Sequence, residues 1–252
     1  MPLLAGMAAI GLTMISNLLP KFRRPSLPPP APDQPLAIIG DIHGCAGLLD
    51  GLLARVAIEN PGAKPVFVGD MIDRGPDSRG VLARIRALDG AVVILGNHEE
   101  MMLRFLDEPE DAGPAWLRHG GIQTLESFGI TDPAADADTR DALRRAFPPG
   151  LEDWLRALPC VWRSGNVMVV HAGADPRRPI ADQNPRDLLW GHPGFGRFPR
   201  RDGLWVAHGH TIVPKPRQRN GVISVDTGAW QGGGLSAALI SAQGVRFLTV
   251  SA

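Results

Sequence analysis

Five short blocks carry most of the residues in this 252-residue chain that could do chemistry: GDIHG at 40–44, GDMIDRG at 69–75, GNHE at 96–99, HAG at 171–173 and GHT at 209–211. They supply the carboxylates of Asp41 and Asp70, the Asn97 amide, and the imidazoles of His43, His171 and His210. Mixed oxygen and imidazole ligation suits manganese, iron or zinc better than calcium. Asp70 has two carboxylate oxygens and can bridge two ions. Ions bridged in this way lie about 3.5–4 Å apart and share a hydroxide formed from water at neutral pH, which can attack phosphorus in line. The leaving oxygen then needs a proton. His98 stands next to Asn97, and Asp73 is placed to orient its imidazole and hold it protonated. The Arg74 guanidinium can bind two phosphate oxygens at once.

The blocks need a scaffold, and most of them follow an apolar run that reads as a buried strand: LAIIGD, VFVGD, VVILGN and VMVVHAG. Ligands on short loops at strand ends are the usual way an α/β sheet builds a site. Asp41 and His43, two apart in an extended segment, would point the same way. Helical spacing in GLLDGLLARVAIEN and in SRGVLARIRALDG, the latter closed by Gly90, completes a βαβαβ unit. Residues 99–160 read as mainly helical, with one stretch from Ala115 to Phe128 and a polar loop at TDPAADADTR. The remainder is strand-rich, with a loop over 174–203, and predicts a second sheet packed on the first.

Net charge is zero, with 26 basic and 26 acidic residues, so nothing global steers the chain toward nucleic acid. Cys45 and Cys160 fit a reducing compartment, and a cytoplasmic location is expected. Residues 2–19 are uncharged and precede Lys21, Arg23 and Arg24. A membrane anchor there is the weaker reading, because the run is barely long enough and is diluted by Gly, Thr, Ser and Asn. Residues 25–35 read as a Pro-rich linker, which divides the chain into an N-terminal extension (1–35) and a catalytic domain (36–252).

GDIHG, GDMIDRG and GNHE, in that order and spacing, resemble the phosphoprotein phosphatase family of metallophosphoesterases, which includes the bacterial and phage serine/threonine protein phosphatases. The resemblance runs from about Leu36 to Val250. It implies an αββα sandwich of two mixed sheets and two divalent metals, manganese ahead of iron or zinc. It implies one ion on Asp41, His43 and Asp70, and the other on Asp70, Asn97, His171 and His210. It also implies a general acid pair of His98 and Asp73, with Arg74 and Asn97 on the substrate phosphate. The bacterial members carry a second phosphate-binding arginine shortly after a Leu-Leu-Trp block. Here the block is LLWGHPGFGRF, and His192 occupies that position. Arg197 is the expected substitute, with Arg200 or Arg201 behind it.

The leading expectation is a serine/threonine protein phosphatase acting on phosphoproteins or small phosphomonoesters. The alternative is a symmetrical diadenosine tetraphosphate hydrolase. A non-catalytic scaffold fits poorly with a full ligand set, and a nuclease fits poorly with the DRG after Asp70, with Glu99 and with the neutral charge. Simpler roles compete at single positions. His208 reads as structural, Cys45 as a small buried residue, and Trp116, Trp154, Trp162 and Trp205 as core. Asp226 reads equally as a turn residue or as a brace for a metal-bound histidine.

Overall fold

The computed structural model describes residues 27–251; the apolar run 2–19 and its basic flank lie outside them. Among the described residues no helix is long and apolar enough to cross a membrane. The chain begins β1 (Leu36–Ile39), α1 (Ala46–Glu59), β2 (Lys64–Phe67), α2 (Ser78–Arg86), β3 (Val92–Val93) and α3 (Asn97–Asp107). Four more helices follow: α4 (Pro109–Trp116), α5 (Ile122–Ser127), α6 (Ala137–Ala146) and α7 (Leu151–Arg156). The second half contributes β4 (Val161–Ser164), β5 (Val167–Val170), α8 (Pro185–Trp190), β6 (Trp205–His208), β7 (Arg217–Arg219), β8 (Val222–Ser224), β9 (Leu235–Ser241) and β10 (Gly244–Val250).

These strands form two mixed five-stranded sheets, ordered β10-β9-β1-β2-β3 and β4-β5-β6-β8-β7. In the first sheet β1, β2 and β3 run parallel and β9 joins β1 antiparallel, with Ile38 opposite Val66 and Ala238. In the second, β5, β6 and β8 run parallel and β4 and β7 close the edges antiparallel.

The layering follows from the two-residue period of a strand. Leu36 and Ile38 of β1 meet Val66 and Val68, Val167 and Val169, Ala207 and Ile223 in a core between the sheets. Ala37, Ile39 and Phe67 point the other way, into the helices. There they meet Leu49, Leu52 and Val56 of α1, Val81, Leu82 and Ile85 of α2, and Met102, Phe105 and Leu106 of α3. Both faces of β1 are therefore buried, which is why LAII reads as an unbroken apolar run. On the far side of the second sheet Met168, Val170 and Val206 are covered by Leu188 of α8 with Ile180 and Phe195. The result is the expected αββα sandwich, with a thin outer layer on the second sheet.

Several local expectations shift. The second helix ends at Arg86, and Gly90 (φ 70) instead turns the chain into β3. The stretch Ala115–Phe128 is not one helix, because Gly120 at φ 114 interrupts it before α5. α8 sits inside the segment read as a loop; its signals were Asn184, whose side chain accepts from Arg186 N at 2.9 Å, and Pro185 at the first turn. β7 is an exposed edge strand of RQR with no apolar pattern to betray it. In the Pro-rich stretch, residues 27–35 lie along the second sheet. Pro28 O accepts from Trp205 Nε1 (2.7 Å), Pro29 O accepts from Asn166 Nδ2 (2.9 Å), and Asp33 Oδ2 accepts from Gly165 N (2.8 Å).

Ile38 is fully buried between the sheets. Ile38→Ala should lower unfolding free energy by about 2–5 kcal/mol, read from urea denaturation.

Candidate functional site

The structure gathers six distant residues at one end of the sandwich. Asp41 and His43 follow β1, Asp70 follows β2, Asn97 opens α3 just after β3, His171 follows β5 and His210 follows β6. All leave the carboxyl ends of parallel strands, and Asp41, His43, Asp70, Asn97 and His171 are buried. The reason Asp41 and His43 converge differs from the sequence argument. β1 ends at Ile39, and His43 has φ 45, so the pair shares a left-handed turn rather than an extended strand. The turn is held by Asp70 O, which accepts from Ile42 N (3.0 Å) and His43 N (2.9 Å). Of the seven non-glycine residues with positive φ among those described, five are His43, Asp70, Asp73, Arg74 and His210. Backbone held in that region is costly and is characteristic of functional sites.

Glycine makes the approach possible. A Cβ on Gly96 would collide with the Asp70 amide and carboxylate, and one on Gly209 would overlap Asp41 Oδ1. The loops are then tied by Glu99, which is fully buried and accepts from Gly96 N (3.0 Å), Asp70 N (2.9 Å), Met71 N (2.8 Å) and Ile72 N (3.3 Å). Both carboxylate oxygens act only as acceptors and fasten the β2 loop to the first turn of α3. Sequence reasoning gave Glu99 no such role. The available signal was its position three residues after Gly96, where a helix capping glutamate sits.

Asp70 lies at the centre. Its carboxylate is 3.5 Å from His43 Nε2, 3.4 Å from His171 Nε2 and 3.9 Å from His98 Nε2. Two groups present ligand atoms within 4.8 Å of one another: His43, Asp70 and His98, and Asp70, His171 and His210. Asn97 Oδ1 lies 2.7 Å from His171 Nε2 and 3.0 Å from His210 Nδ1. The hydrogen-bond logic fits a cation. Backbone carbonyls only accept, so His43 Nδ1–H donates to Ile72 O (2.8 Å) and His171 Nδ1–H to Val68 O (2.9 Å). This leaves His171 Nε2 as a lone pair facing the Asn97 oxygen, a pairing that a shared cation satisfies. Asp41 Oδ1 is buried with no hydrogen-bond partner. The residues present therefore fit two divalent ions sharing Asp70.

Electrostatics agree. Burial, with the charges of Asp226 and Asp70, drives Asp41 well above the usual carboxylate range, so an ionised Asp41 calls for a counter-charge. Burial acts on Asp70 in the same sense, but His171, His98 and His43 outweigh it and hold Asp70 below the ordinary range. Burial lowers His43 to about 3 and His210 to about 4, and lowers His171, which keeps these imidazoles in the neutral form that binds metals.

His98 behaves oppositely. Burial lowers its pKa, but Asp70 and Asp73 outweigh that and raise it above the ordinary histidine value. Its Nδ1 lies 2.7 Å from Asp73 Oδ2. Asp73 is fully buried and also accepts from Trp116 Nε1 (2.9 Å to Oδ2) and Thr124 Oγ1 (2.6 Å to Oδ1). Ligand distance alone would let His98 bind an ion; its bond to Asp73 and its protonated character suit a proton donor better. Trp116 is core as expected, yet its indole N–H also fixes Asp73. Residues 43 and 51 positions from Asp73 leave no local trace of that role.

Arg74 Nη1 is 3.0 Å from His43 Nε2, and its guanidinium carbon sits 4.9 Å over the ring of Trp230. Trp230 is also edge-on to His43 at 6.4 Å and was not singled out from the sequence. The residues expected to form a second clamp sit differently. Arg200 is buried and donates to Asp202 and to the Asp175 and Arg178 carbonyls, as a strut of its loop. His192 Nδ1 accepts from Gly194 N (3.0 Å) and its Nε2 is 3.8 Å from Asp175. Arg197 and Arg201 are exposed, and among the described residues no side-chain hydrogen bond or ion pair links them to the cluster. His208 bonds Ser224 and the Gly209 carbonyl, and Asp226 Oδ1 accepts from Gly228 N (2.9 Å), the turn reading of that residue.

Comparison with known proteins agrees with this geometry. The model of the calcineurin-like phosphoesterase family matches residues 34–222. The chain belongs to that family. It is 30% identical to the asymmetrical bis(5'-nucleosyl)-tetraphosphatase PrpE of Geobacillus sp. (strain WCH70), over 79% of this chain and 88% of the relative. It is 31% identical to serine/threonine-protein phosphatase 1 of Salmonella typhimurium, over 81% and 90%. A crystal structure of a candidate diadenosine tetraphosphatase superposes with a TM-score of 0.62 at 26% identity, covering 87% of this chain and 94% of that one. The protein is thus a metallophosphoesterase hydrolase, and these relatives divide over the substrate.

Glu99→Gln puts an NH2 group against backbone N–H donors. It should cost about 1–3 kcal/mol and reduce bound metal, measured by denaturation and by elemental analysis of the purified protein.

Proposed function

We propose that this metallophosphoesterase hydrolyses dinucleoside tetraphosphates. The observation that carries the proposal is Trp230, whose 41% exposed indole borders both Arg74 and His43. An aromatic surface beside a phosphate clamp suits a substrate whose planar base lies a few bonds from its phosphates. The Geobacillus relative's name supports the same reading.

When bound, two divalent ions, manganese ahead of iron or zinc, supply an activated water and neutralise phosphoryl oxygens; Asp41, His43 and Asp70 would hold one, and Asp70, Asn97, His171 and His210 the other. Arg74 binds and orients the phosphate under attack, with Asn97 beside it. His98, turned by Asp73, presents Nε2 as the proton donor to the leaving oxygen. Trp116 and Thr124 keep Asp73 from rotating away.

A second reading, dephosphorylation of serine and threonine, has its own observation in the buried His98–Asp73 pair. An alkoxide needs a proton far more than a departing nucleotide phosphate does. The Salmonella relative's name supports it. The sequence expectation put this reading first; Trp230 reverses the order.

Diadenosine tetraphosphate, a phosphoserine peptide and an aryl phosphate should be assayed in parallel with added manganese. The dinucleotide should give the highest kcat/KM, and its products separate symmetrical scission (two ADP) from asymmetrical scission (ATP and AMP). Turnover of the peptide with no cleavage of the dinucleotide would overturn the proposal. Trp230→Ala should raise KM for the dinucleotide by roughly 5- to 100-fold, the range for losing one base–aromatic stack, and raise it less for the aryl phosphate. His98→Asn should slow a phosphomonoester with a poor leaving group by about 10²–10⁴-fold and the aryl phosphate much less; equal losses would remove the proton-donor role.

A further inference from the structure

A second feature lies beside the centre and takes no part in the chemistry above. A cleft of about 470 Å³ opens between α3 and α8, lined by Glu100, Arg104, Pro185, Arg186, Leu189 and Trp190. That volume falls within the range of small-molecule sites. Both walls are anchored at metal-ligand positions. On α3, Asn97, Glu100 and Arg104 follow the spacing i, i+3, i+7 and share one stripe, so the cleft starts about 4.5 Å along the axis from Asn97 and extends to about 10 Å. On the other wall, Leu188 O accepts from Ala172 N (2.7 Å), and Ala172 directly follows His171.

The lining has the chemistry of a nucleotide site. Trp190 is 41% exposed, and its Nε1–H donates to Glu100 Oε2 at 2.7 Å, which fixes the indole without covering it. Arg104 and Arg186 are exposed, and neither takes part in an ion pair or a side-chain hydrogen bond among the described residues. Two uncommitted guanidinium groups against one carboxylate leave the cleft net positive. An aromatic face for a base and arginines for phosphate is the usual combination at such sites.

We infer that this cleft receives the distal nucleotide of the substrate, its base against Trp190 and its phosphates toward Arg104 and Arg186. The inference rests on the dinucleoside reading and extends it. Trp230 borders the centre beside His43 and Arg74, and Trp190 is tied through Glu100 to α3 one turn beyond Asn97. One exposed indole at the centre and a second in the cleft that opens along α3 match a substrate with a base at each end of a polyphosphate. A phosphoserine side chain would engage neither.

The test uses the full chain with manganese and ADP as the probe. ADP binding is titrated by calorimetry in wild type, in Trp190→Ala and in the double variant Arg104→Ala/Arg186→Ala; the substituted side chains are exposed. Each variant should weaken ADP binding by about 5-fold or more. The ratio of kcat/KM for diadenosine tetraphosphate to that for aryl phosphate should fall in parallel. Trp190→Phe, which keeps a stacking face and loses the bond to Glu100, should fall between wild type and Trp190→Ala. ADP affinity and substrate ratio equal to wild type in both variants would overturn the inference. The two proposals fail separately: a wild type that splits no dinucleotide removes the substrate reading, and ADP binding that ignores Trp190, Arg104 and Arg186 removes the cleft whatever the enzyme hydrolyses.

Discussion

The burial of the Asp70 carboxylate governs the rest of this site. An ionised carboxylate shut away from water is costly unless neighbours compensate it, and here the compensation organises the centre. His98 faces it and donates its backbone N–H to it at 3.1 Å, while His43 and His171 face it with Nε2 lone pairs, an arrangement that a bound cation would compensate. The same charge acts differently on each neighbour. It cannot overcome burial at His43 and His171, which stay neutral and able to ligate. At His98 it acts together with Asp73 and prevails. Burial and these two carboxylates therefore separate chemically identical imidazoles into ones whose pKa is lowered and one whose pKa is raised.

Holding that carboxylate requires backbone in unfavourable places. Asp70 itself has φ 49, and the adjoining loop carries Asp73 and Arg74 at φ 72 and φ 68. Glu99 offsets this by collecting four amides from the β2–α3 junction, and the Asp73 network of Ser78, Thr124 and Trp116 fixes the other end of the loop. Such strain persists only where the surroundings over-determine it. The sandwich supplies those surroundings, because both sheets deliver their parallel strand ends to the same edge. On the rim, by contrast, the exposed Trp230 and Trp190 and the uncommitted Arg104 and Arg186 face solvent, and no buried charge dictates their geometry.

Much of the fold and site was legible because strand ends and ligands recur together. Strands buried on both faces read as apolar runs, so β1, β2, β5 and β9 were visible, and the blocks after β1, β2 and β5 sat where a run stopped. Elements without that signal were harder to see. α8 is six residues long, β7 has no apolar position, and Gly120 breaks a helix whose side-chain pattern continues across it. The convergence of Asp41 and His43 was expected for a different reason, since sequence cannot show that the strand stops at Ile39 and that His43 turns left-handed.

By itself the sequence determined the αββα class and the metallophosphoesterase chemistry and supplied the candidate ligands, because those depend on residue types and local spacing. Only the tertiary structure decided which groups share a charge, and through that which histidine's pKa is raised rather than lowered. It alone placed Glu99 and Trp116 under the site, made Arg200 a strut, brought Trp230 beside His43 and Arg74, and set Trp190 against Glu100. Each of these depends on contacts between residues far apart in the chain, and no local pattern encodes such a contact.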